Sequence, residues 1–400
     1  MHIDADLHIH SRFSGGTSPK MTVQRLATEA RRKGIQLLGT GDCLHPVWRQ
    51  ELSREGDMED GVITVDETSF VLTTEVEDTT RVHHLLLFPA WQAVDSFTEQ
   101  VAPAADTLDT AGRPHLAING AAIADMAHDA GALIGPAHAF TPWTAMYAYH
   151  DSLRDCYDDA RVDFLELGLS ADSGYADTIS ELHELTFLSN SDSHSPYPIR
   201  LAREFNRLQV EALTWDEIRS ALERRGGRRI VLNVGFPPSE GKYNRTACTS
   251  CYRQYDVDAA RRHSWRCACG GRIKKGVRDR IAELATQDTP AHPEHRPPYL
   301  HLLPLAEIIG AALRFSPRSQ TVQRRWRYLM EHFGSEIMVL IDADIDDIGQ
   351  VASPAVTDAI QAFRSGAITI HPGGGGRYGE LELPASGDDR EQQRRLMEWN

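Results

Sequence analysis

The sequence has 400 residues, of which 41% are hydrophobic and 25% are charged, a balance that is ordinary for a globular protein. No apolar run approaches the ~20 residues that a membrane span needs, and no basic stretch followed by an apolar one opens the chain. We therefore expect no membrane segment, no secretory signal and a cytoplasmic location. The formal net charge of −15 argues against nucleic-acid binding by the surface as a whole.

Strand-like apolar runs alternate with helix-like patterns over the first 235 residues. The predicted elements, in chain order, are strand 3–9, helix 22–33, strands 35–40, 70–75 and 82–88, helix 121–130, strands 132–136 and 164–168, helix 175–185, strands 186–189 and 208–210, helix 215–225 and strand 230–234. Repeated strand-then-helix units favour parallel pairing. This density of units predicts a distorted α/β barrel, with an antiparallel-looking region at 63–87 that departs from eightfold regularity.

The remainder of the chain differs in composition from the barrel segment. A Pro/Gly-rich linker is predicted at 235–241, and a loop rich in Pro, His and acidic residues at 286–298. Beyond it we predict helices 302–313, 321–333 and 355–365 with short strands at 337–341 and 367–370. The predicted division is a barrel at 1–235, a basic module at 242–281, a mainly helical α+β C-terminal region at 296–384 and a tail at 385–400.

Candidate metal ligands follow the strand-like runs. His8 and His10 are two apart, as are Asp192 and His194, and side chains two apart on a strand share a face. In α/β barrels the C-terminal strand ends face the active site, so we expect these pairs to converge. The other candidates in such positions are Asp42, His45, Glu75, His84 and His138. Imidazole and carboxylate donors suit divalent metals, and we predict two or three ions of Zn, Mn, Mg or Fe.

These segments resemble the polymerase-and-histidinol-phosphatase superfamily of metal-dependent phosphoesterases. The matching motifs are Asp6-Leu-His8-Ile-His10-Ser, Gly41-Asp42, Thr74-Glu75, His84-Leu-Leu-Leu, Gly135-Pro-Ala-His138 and Ser191-Asp192-Ser-His194. The resemblance implies a distorted α/β barrel with up to three metals. It implies that the ligands are His8, His10, Glu75 and Asp192 for the first metal, Glu75, His84 and His138 for the second, and His194 with Asp42 or His45 for the third.

Catalytic roles fall, on this resemblance, to Asp192, Glu75 and His194. The chain departs from the superfamily pattern after the second strand, where the usual Asp-His is Asp42-Cys43 with a histidine, His45, two residues later. A histidine outside the motifs is more often a hydrogen-bonded structural residue, so His83 receives no metal role.

A second metal site is predicted in the basic module. Cys248 and Cys251 form one close pair and Cys267 and Cys269 another, a pattern typical of a structural zinc site with four thiolate ligands. The second pair is one residue shorter than the usual spacing, and His263 is an alternative ligand.

The same module carries a localised positive charge. Residues 242–280 contain eleven Lys or Arg and three acidic residues. Basic side chains interleaved with aromatic ones suit phosphate contact and base stacking. The side chains assigned to DNA contact are Arg253, Arg266, Lys274 and Lys275. Together with the barrel motifs, the segments 247–280 and 296–309 resemble the endonuclease Q family, and the resemblance extends to about residue 378.

Members of that family nick DNA on the 5′ side of deaminated bases such as uracil, hypoxanthine or xanthine, and at abasic sites. The resemblance therefore implies a DNA repair hydrolase that uses a metal-activated hydroxide. Ser170 and Asn190 end strand-like runs close to the metal motifs, and we assign them to reading the flipped damaged base.

Two other functions stay open at this point. A small-molecule phosphoesterase of the histidinol-phosphate phosphatase type would need the barrel alone, and a DNA-binding protein with a decayed barrel would need no intact ligand set. In the tail, Gln393, Leu396 and Trp399 resemble a degenerate sliding-clamp-binding motif, for which a frayed helix end is the alternative.

Overall fold

The computed structural model describes residues 1–384, and the predicted clamp motif and the tail that contains it lie outside them. The strands are β1 His2–Asp6, β2 Leu37–Gly39, β3 Met58–Glu59, β4 Val62–Val65, β5 Thr68–Glu77, β6 His83–Phe88, β7 Leu133–Pro136, β8 Phe164–Glu166, β9 Thr186–Leu188, β10 Phe205–Gln209, β11 Arg229–Gly235, β12 Ala247–Cys248, β13 Ile273–Lys274, β14 Tyr299–His301, β15 Thr369–His371 and β16 Glu380–Glu382.

The helices pack around these strands. They are α1 Val23–Lys33, α2 Pro46–Glu55, α3 Trp91–Val101, α4 Gly120–Asp129, α5 Met146–Tyr149, α6 Leu153–Tyr157, α7 Ser173–Ala176, α8 Trp215–Leu222, α9 Val257–Arg262, α10 Val277–Leu284, α11 Leu305–Leu313, α12 Gln320–Phe333, α13 Ile345–Val351 and α14 Pro354–Arg364. Short 3₁₀ turns occupy Ala102–Ala104, Ser180–Leu182 and Pro238–Glu240. Among the described residues, no helix is both long enough and apolar enough to cross a membrane.

The main sheet runs in the order β14-β11-β10-β1-β2-β5-β4-β3, and β6 and β7 continue from β5 on a second branch. β1, β2 and β5 are parallel to one another, whereas β5, β6 and β7 are antiparallel, as the sequence suggested for this region. β8 and β9 form a separate parallel pair. Side-chain amides connect that pair to the main sheet: Asn206 Nδ2 donates to Ser189 O and Asn233 Nδ2 donates to Phe187 O. The arrangement is a distorted α/β barrel.

Helix α1 illustrates why the predicted helices form. Val23, Leu26, Ala27 and Ala30 recur at helical spacing and are all buried, so they give the helix one apolar face against the sheet. The helix ends at Gly34, whose φ of 99° lies in the left-handed region that favours glycine. The predicted helix 22–33 is thereby confirmed to within one residue.

Apolar side chains fill both faces of the barrel strands. One cluster, including Ile3, Leu37, Val71 and Leu85, fills the barrel interior. A larger cluster packs the outward faces of the strands against the helices, and it also contains residues of α11, α12 and α14. The C-terminal helices therefore share a core with the barrel helices.

Two predicted elements differ from the observed ones. The predicted strand 337–341 is a π-helical turn, Met338–Asp342, and this apolar run packs against helices α12 and α14. The predicted helix 175–185 is reduced to α7 and a 3₁₀ turn. Asp177, within that segment, forms a buried salt bridge with Arg296, an interaction that the helical pattern did not predict.

Candidate metal centre

His8 and His10 follow the end of β1 at the rim of the barrel. Both imidazoles are buried, and a carboxylate fixes one nitrogen of each: His8 Nδ1 lies 2.9 Å from Glu166 Oε2, and His10 Nδ1 lies 3.1 Å from Asp42 Oδ1. Asp192 Oδ1 lies 3.8 Å from His8 Nε2 and 3.0 Å from His10 Nε2. A carboxylate on the far nitrogen is a common way to orient a metal-binding imidazole.

Glu75, on the long strand β5, lies at the centre of the cluster. Its Oε1 lies 2.9 Å from His138 Nε2, 2.8 Å from His83 Nδ1 and 3.8 Å from His8 Nε2. Its Oε2 lies 3.4 Å from His10 Nε2. Because its two oxygens face different imidazoles, Glu75 fits the part of a carboxylate that two neighbouring metals share.

The prediction that His84 joins this cluster is wrong, and His83 takes its place. Across the β5–β6 pair, Glu75 lies opposite Leu85 and Glu77 lies opposite His83, so these side chains share the interior face. His84 lies between His83 and Leu85 on the strand and therefore faces outward, toward the helices. Within residues 1–384, it belongs to none of the groups of donor atoms that contain Glu75.

Asp42 supports the cluster from behind. Its Oδ1 faces His10 Nδ1, and its Oδ2 accepts hydrogen bonds from Ser11 N at 2.7 Å, Ser11 Oγ at 2.6 Å and Ser14 Oγ at 2.9 Å. With both oxygens engaged in this way, Asp42 orients His10. It does not lie with His194, so its predicted role in the third metal site is corrected to an orienting one.

His45 lies away from the cluster. Its ring stacks on Phe13 with centroids 4.0 Å apart, and its Nδ1 accepts a hydrogen bond from Trp48 N at the first turn of α2. The predicted role of His45 as a third-metal ligand is therefore also corrected, because the imidazole caps a helix instead.

Asp192 and His194 form the open side of the cluster. His194 Nε2 lies 3.5 Å from Asp192 Oδ1, and the rings of His194 and His10 are 4.6 Å apart. Donor atoms of His10, Asp192 and His194 lie within 4.8 Å of one another. The side chains of Asp192 and His194 are 30% and 35% exposed, so a substrate would approach the cluster from this side.

The carboxylates and imidazoles of the cluster shift the pKa values of one another. Burial alone would lower the pKa of His10, but its hydrogen bonds to Asp192 and Asp42 raise that pKa well above the usual value. Burial likewise opposes ionisation of Glu75, yet the imidazoles of His83 and His138 hold its pKa well below the usual range. Carboxylates that stay ionised while buried are suited to binding cations.

Two further observations fit divalent metals at this cluster. His8 Nε2 is buried and has no hydrogen-bond partner among the described residues, an arrangement that is costly unless something else binds the nitrogen. In addition, Asp42, His138 and Asp192 all have left-handed backbones, with φ of 48°, 33° and 46°. Non-glycine residues held in this region cost about 1–3 kcal/mol each and cluster at functional sites.

Besides His83, sequence reasoning missed two further members of the site. Glu166, at the end of β8, orients His8 and also accepts a hydrogen bond from His138 N at 2.7 Å; its signal was an acidic residue within an apolar strand. Arg113 donates from Nη1 to Glu75 Oε2 at 2.9 Å, and its side chain is 31% exposed. No motif surrounds Arg113, which reaches the cluster from the loop between α3 and α4.

The four predicted zinc ligands in the basic module come together. Their sulfur atoms lie within 4.8 Å of one another, with 3.6 Å between Cys248 and Cys269 and 3.5 Å between Cys251 and Cys267. Two ~2.3 Å bonds to one tetrahedral zinc place sulfurs ~3.8 Å apart. His263, the alternative ligand, is not a member of this group.

The shortened second pair closes because of a glycine and a tyrosine. A Cβ at Gly271 would lie 2.6 Å from Cys248 Sγ, so glycine alone allows this close approach of the chain. Tyr255 Oη donates to Cys267 Sγ at 3.0 Å, and this hydrogen bond lowers the pKa of Cys267 to about 6. A thiol with a lowered pKa is readily converted to the thiolate that binds metals.

A cavity of about 510 Å³ lies beside the cluster, between the barrel and the basic module. Ser170 lines it, together with the aromatic rings of Trp143, Tyr243 and Tyr378. The predicted reader Asn190 does not reach it. Asn190 is buried, and its amide accepts from Leu7 N and donates to Glu166, so the prediction that it reads a base is corrected to a structural role.

The basic side chains of the module divide into two groups. Arg253 and Arg266 are exposed and form no salt bridge within residues 1–384. Lys275 forms a salt bridge with Glu283, and Lys274 lies over the ring of Trp143 with its Nζ 4.7 Å from the centroid. Lys274 therefore connects the module to the wall of the cavity.

Solved structures with the same fold identify the family. A crystal structure of the lesion-specific endonuclease PfuEndoQ from Pyrococcus furiosus matches at 49% identity and a TM-score of 0.94, over 98% of this chain and 99% of that one. A structure of Endonuclease Q in complex with a 27-mer duplex substrate, with an abasic lesion at the active site, matches at 49% identity and a TM-score of 0.91, over 97% and 100% of the two chains. The chain belongs to the endonuclease Q family.

Two curated relatives extend this endonuclease Q match. The uncharacterized protein YqxK of Bacillus subtilis is 32% identical over 95% of this chain and 99% of its own length. The uncharacterized protein MJ0043 of Methanocaldococcus jannaschii is 44% identical over 252 residues, which are 62% of this chain and 31% of that protein. A family model described as the MJ0043 C-terminal domain matches residues 304–367.

The endonuclease Q resemblance that the motifs carried is thus confirmed, and with it the mixed α/β fold with a cysteine module and a helical C-terminal region. Both solved relatives are endonucleases, in agreement with the hydrolase class that the metal motifs predict. The donor atoms of the barrel rim lie close enough together to bind metal, which is the intact ligand set that a decayed barrel would not need.

Proposed function

We propose that this protein is a DNA repair endonuclease. It hydrolyses the phosphodiester on the 5′ side of deaminated bases (uracil, hypoxanthine and xanthine) and of abasic sites, and leaves a 3′ hydroxyl. The main support for the proposal is the group of candidate metal ligands at the rim of the barrel. These ligands lie beside a cavity with aromatic walls, in a chain of the endonuclease Q family. One member of that family holds a duplex with an abasic lesion at its active site.

The damaged nucleotide is flipped out of the duplex into the cavity lined by Ser170 and Trp143. Aromatic side chains stack on bases irrespective of their identity, and a hydroxyl can either donate to or accept from a base edge. Arg203, also in the wall of the cavity, donates from Nε to Ser191 O at 3.3 Å, so the cavity adjoins the backbone that carries Asp192. A deaminated base pairs weakly and is therefore less costly to extrude, which contributes to selectivity.

The flanking duplex is held by two basic surfaces. One is the module, through Arg253, Arg266 and Lys274, with Lys275 weakened by its pairing with Glu283. The other is a groove of about 760 Å³ between the barrel and α12, which contains five arginines: Arg25, Arg32, Arg200, Arg318 and Arg327. Guanidinium groups suit phosphate contact, and such contacts supply affinity without sequence preference.

The donors would hold divalent metals as follows. His8, His10 and Glu75 would hold the first ion, with Asp192 Oδ1 beside them. Glu75, His83 and His138 would hold the second, and Asp192 with His194 would hold a third. When bound there, divalent metals supply a water of lowered pKa as the nucleophile and neutralise charge that develops on the phosphate. We propose Zn, Mn, Mg or Fe for these positions and zinc for the cysteine module.

The side chains of this protein complete the reaction geometry. His194 lies on the exposed side of the cluster, where its imidazole would contact the scissile phosphate, and the Asp192 carboxylate beside it would hold metal. Arg113, partly exposed beside Glu75, offers a cation to a phosphate oxygen at the same place. Glu166 and Asp42 keep the rings of His8 and His10 in fixed orientations. The cytoplasmic location and the sliding-clamp contact remain predictions.

Cleavage of defined lesion duplexes tests this proposal. Duplexes with a single uracil, hypoxanthine, xanthine or abasic site, labelled at the 5′ end, are incubated with the full chain and Mg²⁺ or Mn²⁺. We expect one nick immediately 5′ of each lesion, with a 3′ hydroxyl that a polymerase can extend. The undamaged duplex and the variant Asp192→Asn serve as controls, and neither should give this product.

The opposite outcome would favour the small-molecule alternative. Hydrolysis of histidinol phosphate or of a generic phosphate monoester, without nicking of any lesion duplex, would contradict the proposal. Binding of lesion duplexes without cleavage in the presence of each metal would contradict it as well, and would point to a DNA-binding protein.

A further inference from the structure

A second mixed group of donor side chains lies on the outward face of β6, behind the cluster described above. Asp78 Oδ2, His84 Nε2 and Cys156 Sγ lie within 4.8 Å of one another, and all three residues are buried. They come from three separate segments, namely the turn after β5, strand β6 and helix α6. The proposed nuclease reaction uses none of them.

The hydrogen bonds of Asp78 and His84 leave one atom of each side chain available to bind a metal ion. Asp78 Oδ1 accepts from Thr80 N at 2.7 Å, from Thr80 Oγ1 at 2.8 Å and from Val82 N at 2.9 Å, so Oδ2 is the oxygen that faces the group. His84 Nδ1 lies 2.7 Å from Tyr157 Oη, so Nε2 is the nitrogen that faces it. Outer partners that fix a ligand in this way are typical of metal sites.

The spacing between these two free atoms suits a shared cation better than a hydrogen bond. His84 Nε2 is buried and has no partner with hydrogen-bond geometry among the described residues, although Asp78 Oδ2 lies 3.3 Å away. Two ~2.1 Å bonds at a tetrahedral zinc separate nitrogen and oxygen donors by ~3.4 Å. The observed 3.3 Å agrees with that spacing.

We propose that Asp78, His84 and Cys156 form a structural site for one Zn²⁺ ion. A nitrogen, a sulfur and an oxygen donor together match the ligand preferences of zinc. All three residues are buried, so the role of the ion, with a water as its fourth ligand, is to fasten the turn after β5, strand β6 and helix α6 to one another. β5 and β6 carry Glu75 and His83, and the ion would therefore stiffen the strand pair that supports the catalytic cluster.

Metal content of matched variants tests the site. Zinc per chain is measured by element-specific mass spectrometry on the full-length protein and on the variants Cys156→Ser and Asp78→Asn. The carboxamide oxygen introduced by Asp78→Asn would still accept from Thr80 and Val82, so this variant preserves the turn. We expect each variant to lose one zinc ion per chain. The control Cys43→Ser, which changes the other buried cysteine outside the cysteine module, should lose none.

Diffraction at the zinc absorption edge provides a second measurement on the unaltered protein. An anomalous peak between the three donor atoms would support the site even if a variant failed to fold. Unchanged zinc content in both variants, or no peak at this position, would overturn the proposal and leave the group as a hydrogen-bonded packing contact. Lesion nicking by the same preparations separates this question from the proposed function, since the variants alter no donor of the catalytic cluster.

Discussion

The barrel rim and the cysteine module both bring several donor atoms to one point, but by different routes. At the rim, the donors run from His8 to His194 and depend on strands of the whole barrel to meet. In the module, four thiols fall between Cys248 and Cys269, and local turns are enough to bring them together. The ligands of the first site are far apart in the sequence and are brought together by the tertiary structure, whereas the ligands of the second site are close together in the sequence.

The difference in packing between the two regions is large. The rim donors are surrounded by two extensive apolar clusters, and Glu166 and Asp42 hold the imidazoles in place by hydrogen bonds within the protein. The buried core of the module consists of Cys248, Ala260, Cys267 and Ile273, two of which are proposed zinc ligands. Such a core is too small to fold by itself, so we expect folding of the module to require a bound ion, whereas the apolar clusters of the barrel are large enough to fold without one.

Removal of metal should therefore separate the two regions, and this is the largest effect that we expect. A strong chelator should abolish amide hydrogen-exchange protection in residues 247–275, because structural zinc supplies apparent binding energies of about 10–16 kcal/mol in small domains. Protection in β1 and β10, which carry none of the proposed metal ligands, should persist. Exchange measured by mass spectrometry, with zinc added back as the control, checks this. Equal loss of protection in both regions would contradict the expectation that only the cysteine module needs metal to stay folded.

Neutralising one rim ligand should abolish chemistry without disturbing either region. Asp192→Asn removes a charge shared by His8, His10 and His194, and the loss of ~4 kcal/mol of transition-state stabilisation corresponds to a fall of about 10³-fold in single-turnover cleavage. Lesion-duplex affinity should change little, since the proposed DNA contacts lie elsewhere. A cleavage rate within tenfold of the wild-type rate would remove Asp192 from the proposed catalytic set.

The two pairs of ligands at the rim were predictable because the two members of each pair are close together in the sequence. His8 with His10, and Asp192 with His194, are two apart and follow strands, so the alternation of side chains along a strand and the polarity of the barrel are enough to bring them together. The four cysteines were predictable for a similar reason. Even so, the shortened spacing gave no indication that Gly271 would let the chain close on the sulfurs.

The choice between His83 and His84 was not predictable, because it depends on the register of β6. A shift of one residue exchanges the two faces of a strand. Here Leu85 and Leu87 fill the interior while Leu86 and Phe88 pack outward, so both faces are apolar and the pattern does not distinguish them. Arg113 was not predictable either, since its loop reaches the cluster through tertiary packing alone.

A stable barrel can also bury groups that the module could not. Glu204 is fully buried, its Oε1 accepts from Phe236 N at 2.8 Å and its Oε2 has no partner among the described residues. Burial raises the pKa of Glu204 to about 8 from the ordinary 4.5. The folded state thus retains a proton that the unfolded state has released, and stability should fall as pH rises between these two values.

The variant Glu204→Gln tests whether ionisation of this buried carboxyl group lowers the stability of the folded protein. We expect the variant to be more stable than the wild type by roughly 2–4 kcal/mol at pH 8.5, since each pKa unit is worth about 1.4 kcal/mol, and the difference should shrink toward pH 5. Urea unfolding at both pH values measures it. The exposed control Glu59→Gln should show no such dependence on pH, and a Glu204→Gln gain that is equal at both values would contradict the buried-charge explanation.

The smallest effect that we predict is a loss of metal affinity on substitution of Glu166. It tests whether hydrogen bonds within the protein orient the imidazoles at the rim before metal binds. Glu166 accepts from His8 Nδ1, His138 N and Asn190 Nδ2, so Glu166→Gln would turn an amide N–H toward one of these donors and loosen the rings. Loss of such an orienting carboxylate typically weakens metal binding by about 10–100-fold. Titration with Mn²⁺ measures this loss, with the exposed Glu184→Gln as the control. The cysteine module contains no such outer carboxylate, so its zinc affinity should be identical in both variants. A Glu166→Gln protein that binds metal within twofold of the wild type would mean that the barrel backbone alone orients the site.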